Sequence, residues 1–169
     1  MGMNFPDLSP EVRSLMVAEI DLDITEGDLY QSPRLTAAGW AGYPSLLRAA
    51  ASSGSPESLA RALRPALAKT TTRNGRPMAM PNNAAQSLAE GEFNRFYARA
   101  LCLHAMATGR THVRVYRAKA VQSPRPTSEA KSGQLVNAAA LLTDLRGSIG
   151  IDTHLGIPGG VNSGLSVRL

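Results

Sequence analysis

Apolar positions recur at helical spacing in several stretches of the chain. Between them the spacing dissolves into runs rich in Gly, Pro and Ser. In LSPEVRSLMVAEIDLD, residues 8–23, the positions Val12, Leu15, Met16, Glu19 and Ile20 share one helical face. Ser9 stands as N-cap, Pro10 occupies the first helical position and Glu11 lies in the first turn. This predicts a helix over 10–22. The next run, residues 24–44, has no sustained period and reads as a loop. Two short helices follow, at about 45–52 and 56–68, the second opened by Ser55-Pro56-Glu57 and ended or kinked by Pro65. TTTRNGRPMAMPNN lacks both periods, so residues 70–82 read as a linker or an extended arm.

Residues 83–108 are the longest periodic stretch, with an Asn83/Gln86 capping-box start and Gly109 as the stop. THVRVYRAKAV alternates and is β-branched, which predicts a strand at about 111–121. Residues 122–133 read as a loop, 134–147 as a helix ending at Gly147, and 165–169 as a short terminal strand. The expected fold is α+β, mainly helical: one long central helix, several short ones, a small β element and long irregular arms. Three regions are expected within one domain: an acidic helical region at 1–69, the linker or arm at 70–82, and a basic α/β core at 83–169.

On a helical wheel for 83–108, Phe93, Phe96, Tyr97, Ala100, Leu103 and Ala107 share an arc, with His104 inside it. This is the face expected to be buried. Glu92, Arg95 and Arg99 fall on the other side, as a solvated or intersubunit face.

Composition narrows the reading. Aromatic residues make up only 5%, so the core must be built from Ala, Leu and Val. One Cys excludes an internal disulfide framework and any multi-Cys metal site. No apolar run reaches 18 residues, and no charged leader precedes an apolar segment. The expectation is a chain that neither spans a membrane nor carries a signal peptide, located in the cytoplasm or a virion. Charge is unevenly placed. Residues 1–32 hold seven acids against Arg13, a balance of −6. Residues 33–131 hold fifteen Arg or Lys against four Glu, a balance of +11. Such a basic middle suits either nucleic acid or the acidic head of a neighbouring copy.

Candidate chemistry is sparse. Cys102 and His104, at i and i+2 on a helix, project about 200° apart and cannot pair as nucleophile and base. His112 or His154 would have to serve, and their separation has no ligand-like spacing. Four carboxylates in DLDITEGD, 21–28, fail the spacing of a calcium-binding loop. GIPGGVNSG, 156–164, lacks the Lys of a phosphate loop and reads as a turn. No catalytic set, cofactor or metal is expected. The sequence points to a non-enzymatic structural or assembly protein, such as a bacteriophage virion component or another homo-oligomeric subunit. Residues 1–32 or 70–82 are expected to cross onto a neighbour. The alternative is a nucleic-acid-binding accessory protein using Arg95, Arg99, Arg114, Arg117 and Arg125.

Overall fold

In a computed structural model of the chain, which describes residues 2–159 and 163–169, the architecture is α+β and mainly helical. Helix α1 spans Pro10–Glu26. The Ser9 hydroxyl accepts the Val12 amide at 3.2 Å, and Gly27, at φ 76°, closes the C-terminal end. The helix runs past the expected end at 22. Asp21 and Asp23, poorly placed near a helix C-terminus, are held by the guanidiniums of Arg48 and Arg99.

Helix α2, Ala37–Ser53, corrects the loop expected there. It starts eight residues before the expected helix and carries Pro44 in its interior. Thr36 caps its first turn by accepting the Gly39 amide at 2.9 Å. Packing outweighs the lost Pro44 donor: Tyr43 and Leu47 are fully buried, and Trp40 stacks on Tyr43 at 5.7 Å. Helix α3, Pro56–Leu63, opens with a capping box between Ser55 and Ser58. It gives way to a 3-10 turn at Arg64–Ala66, so Pro65 ends it as expected but earlier than residue 68. Gly39 lies against the carbonyl of Ala66, where a Cβ would come within 2.3 Å.

Residues 70–79 form an antiparallel hairpin, β1 (Thr70–Arg73) and β2 (Arg76–Ala79), where an irregular linker or arm was expected. Asn74 and Gly75 both have positive φ, 51° and 75°, as the favoured two-residue hairpin turn requires. The long central helix is α4, Ala84–Ala107. Asn83 makes no side-chain cap, contrary to the capping-box expectation, while Gly109 at φ 80° closes the other end as expected. A three-stranded antiparallel sheet follows in the order β4–β3–β5, with β3 at His112–Arg117, β4 at Leu135–Asn137 and β5 at Leu165–Arg168. A short helix, α5 (Pro126–Lys131), replaces part of the expected loop. Helix α6, Ala138–Gly147, starts later than expected because Asn137 accepts the Ala140 amide as N-cap, leaving 135–137 to pair with β3.

Helix α4 lies at the centre, packed by α1, α3 and α6 and by the sheet. One continuous cluster of buried residues reaches from Val12 to Val167. From Glu92 to Cys102 every residue of α4 is buried. The two-faced reading of this helix is therefore corrected: Phe93, Phe96, Tyr97 and Ala100 are interior, but so are Glu92, Arg95 and Arg99, while Leu103 is half-buried and Ala107 exposed. The acidic head packs on its own chain. Phe5 lies 5.3 Å from the Phe93 ring and 4.6 Å from that of Tyr97, and α1 packs along α4. Within the single chain, residues 5–26 thus lie against α4.

Candidate functional site

Two arrangements stand out, one inside the molecule and one on its surface. The inner one begins with the stripe Val12, Met16, Glu19, Ile20 and Asp23 on α1, all buried. Helical spacing places the two acids on the same face as the apolar residues, directly against α4. Arg99 of α4, with no exposed surface, donates from Nε to Glu19 at 2.7 Å. Its two terminal nitrogens donate to the two oxygens of Asp23, each at 2.8 Å. Arg146 of α6 grips Glu19 from the other side, at 3.0 and 2.5 Å. Arg95 donates from Nη2 to Glu92 at 2.9 Å, and the Tyr43 hydroxyl donates to the same carboxylate oxygen at 3.3 Å. Three guanidiniums thus face three carboxylates across three helices, and Tyr43 joins them from a fourth.

Burial opposes ionisation of Glu19, but the Arg146 and Arg99 guanidiniums outweigh it and hold its carboxyl below the usual range. Burial, reinforced by the neighbouring Glu92 charge, pushes the Tyr43 phenol up. The Arg95 and Arg99 guanidiniums lie 4.8 and 4.9 Å from the centre of the Phe96 ring, whose face favours cations. Arg95 Nε and Nη1 are buried without a hydrogen-bond partner among the described residues. The chemistry of this network is cohesive: Glu19 is held ionised, and each of the three acids is matched by a cation.

Beside it a cavity of about 510 Å³ opens between α4 and residues 148–159 and 163–165, lined by Tyr30, Glu90, Asn94, Arg95, Lys119 and Thr153 among others. Lys119 already donates to both oxygens of Glu90, at 2.8 and 2.7 Å. Asn94 is engaged with β5, donating to the Leu165 carbonyl at 2.8 Å and accepting the Ser166 hydroxyl at 2.6 Å. No His or Cys is among the described lining residues. Cys102 is sealed in the core, where burial pushes its thiol up to about 12, so it stays protonated at neutral pH.

The five arginines proposed for nucleic acid are not gathered on one face. Arg95 and Arg99 are in the interior network. Arg114 and Arg117, three residues apart on β3, project to opposite sides of the sheet. Arg114 donates to the Gly133 carbonyl at 2.8 Å, and Arg117 to the Ser163 carbonyl and to Glu129 at 2.9 and 3.0 Å. Arg125 is exposed at the start of α5. His112 is exposed beside the Thr111 hydroxyl, and the exposed His154 gives only its backbone amide, to Asp144. The 21–28 acids belong to α1 and the turn after it. Among the described residues no group of three or more His, Cys, Asp or Glu is placed to hold a metal ion. In the Gly-rich stretch, Gly156, Gly159 and Gly164 take positive φ, and residues 160–162 lie outside the described residues.

The outer arrangement was missed in the sequence. No acid occurs between Glu57 and Glu90, and that interval carries Arg61, Arg64, Lys69, Arg73 and Arg76. All five are exposed, and the observed hydrogen bonds and ion pairs among the described residues engage none of their side chains. Three of them, Lys69, Arg73 and Arg76, lie on or beside the β1–β2 hairpin, which packs chiefly on itself. Its outer edges offer unpaired backbone donors and acceptors. The available signal was the Asn74-Gly75 dipeptide, a strong hairpin marker. It was obscured because the flanking residues do not alternate apolar with polar. The chain matches no family model, no curated protein and no solved structure.

Proposed function

We propose that this chain is a non-enzymatic assembly subunit that associates through its β1–β2 hairpin. It is of the kind that builds bacteriophage particles and other symmetric homo-oligomers, and it acts in the cytoplasm or in the virion. The observation that carries the reading is the hairpin itself: exposed, open-edged and carrying three unengaged cations, Lys69, Arg73 and Arg76, on or beside it. A two-stranded ribbon has little stability of its own and gains from pairing or packing against a partner. The interior charges are matched within the subunit, so they leave association to the surface.

The test replaces residues 70–79 with a short Gly-Ser link and measures mass by light scattering alongside the melting temperature. The expected result is a full-length oligomer, and a variant that melts within a few degrees of it but remains monomeric. A full-length chain that is monomeric at high concentration would overturn the reading. The nucleic-acid alternative is separated by titrating DNA binding against salt, since each phosphate contact steepens the fall of log affinity with log salt.

A further inference from the structure

We propose that the β1–β2 hairpin of one copy docks on the acidic C-terminal end of α1 in a second copy. This deepens the assembly reading above and rests on it. Observations on the two sides match.

On the hairpin, Arg73 and Arg76 are direct cross-strand partners beside the turn. Like charges placed opposite one another destabilise a hairpin, and here no acid on the described chain relieves them. Lys69 adds a third cation at the base, and Met78 is a large apolar side chain left 38% exposed. At the end of α1, Glu26 and Asp28 are exposed and engaged in no observed ion pair among the described residues. Carboxylates at a helix C-terminus face the negative end of the helix dipole, and the last turn of α1 contains no basic residue. Ile24, 39% exposed, sits between them and the body of the helix.

Each patch therefore carries exposed charge without an ion pair that the other would match, and Met78, on the same strand face as Arg76, adds an exposed apolar side chain to the hairpin's side of the contact. The two patches are built by different elements, so a contact that joins them between copies is head-to-tail and propagates into a ring or a filament. The exposed Met78 and the unpaired strand edges favour a protein partner over nucleic acid. No aromatic residue lies between Tyr43 and Phe93 to stack a base.

The experiment uses the full chain. An arm-reversed variant, R73E/R76E, and a face-reversed variant, E26K/D28K, are each measured by light scattering, with circular dichroism to verify folding. The substituted residues are exposed, so both variants are expected to fold. Each alone should lose association by more than about tenfold in affinity. Mixed in equal amounts, they should reassociate, because each reversed patch then faces an opposite one on the other variant. An unaltered mass for both variants would overturn the docking while leaving the assembly reading in place. A wild-type chain monomeric at about 1 mM would overturn both. Loss of duplex-DNA binding by R73E/R76E from a monomeric wild type would assign the arm to phosphate contact and overturn the docking.

Discussion

Arg99 shows how far one side chain's environment departs from its type. Its charge and its place one turn after Arg95 suggested solvent, although it lies only about 60° from Phe96 around the helix. It is instead the largest fully buried side chain in the molecule. Removing it leaves Asp23 buried, with only the Arg95 nitrogen 3.8 Å away. Breaking a buried pair on one side costs about 3–5 kcal/mol, so Arg99→Leu should lose that much stability in urea unfolding. A loss below about 1 kcal/mol would show that the network relaxes around the gap. Glu19 gives the same network a pH signature. Its folded-state pKa is depressed, so its ionised form favours folding at every pH above the ordinary glutamate range. That contribution is lost as pH falls through the folded value. Glu19→Gln should therefore be destabilised at pH 7, and its deficit against the wild type should shrink below about pH 4. Melting curves across that range decide it. A deficit independent of pH would mean that Glu19 acts through shape alone.

At the scale of elements, what the sequence disclosed depended on whether local signals agreed with packing. Helix α4, β3 and β5 were legible because residue pattern and burial coincide there, even though Asn83 makes no cap, and α1 and α3 because their Ser-Pro-Glu starts do cap. Helix α2 was hidden because Pro44 breaks the local pattern while Tyr43 and Leu47 supply the burial that overrides it. The charged residues of α4 were misjudged because their type was read as exposure: at about 100° per residue Arg99 falls only about 60° from Phe96, at the border of the aromatic arc, where the acids of α1 meet it. Yet Glu19 and Asp23 lie on the apolar stripe of α1, and that misplaced acidity was a readable sign of a buried partner. The close approach of α2 to the 3-10 turn gives an element-scale prediction. A Cβ on Gly39 would meet the Ala66 carbonyl at 2.3 Å, so Gly39→Ala must push the two backbones apart. The cost should be about 1–3 kcal/mol in chemical denaturation, although alanine is ordinarily the better helix former. A stabilised variant would show that this contact is loose.

For the whole molecule, the interior network decides how α1 can lie on its neighbour. Seven of the 24 residues of α4 are alanine, and apolar contact with α1, which is non-directional, sets the register of the pair only through shape. With the acids in place, a slide of four residues would bring Asp23 to the position of Glu19 and leave the remaining guanidinium contacts facing apolar or small side chains. The charges thus act as a vernier, rejecting displaced packings that hydrophobic contact would accept. Replacing Glu19, Asp23, Glu92, Arg95 and Arg99 together with apolar residues of similar volume, which leaves no buried carboxylate without its cation and only the part-exposed Arg146 free, tests this, since such replacements often preserve or raise stability. The expected product resists urea about as well as the parent but gives doubled or broadened amide resonances along α1. A single sharp set of resonances would mean that shape alone is enough to position the helix. If the vernier holds, these six charges specify where the chain settles more than how firmly it stays there.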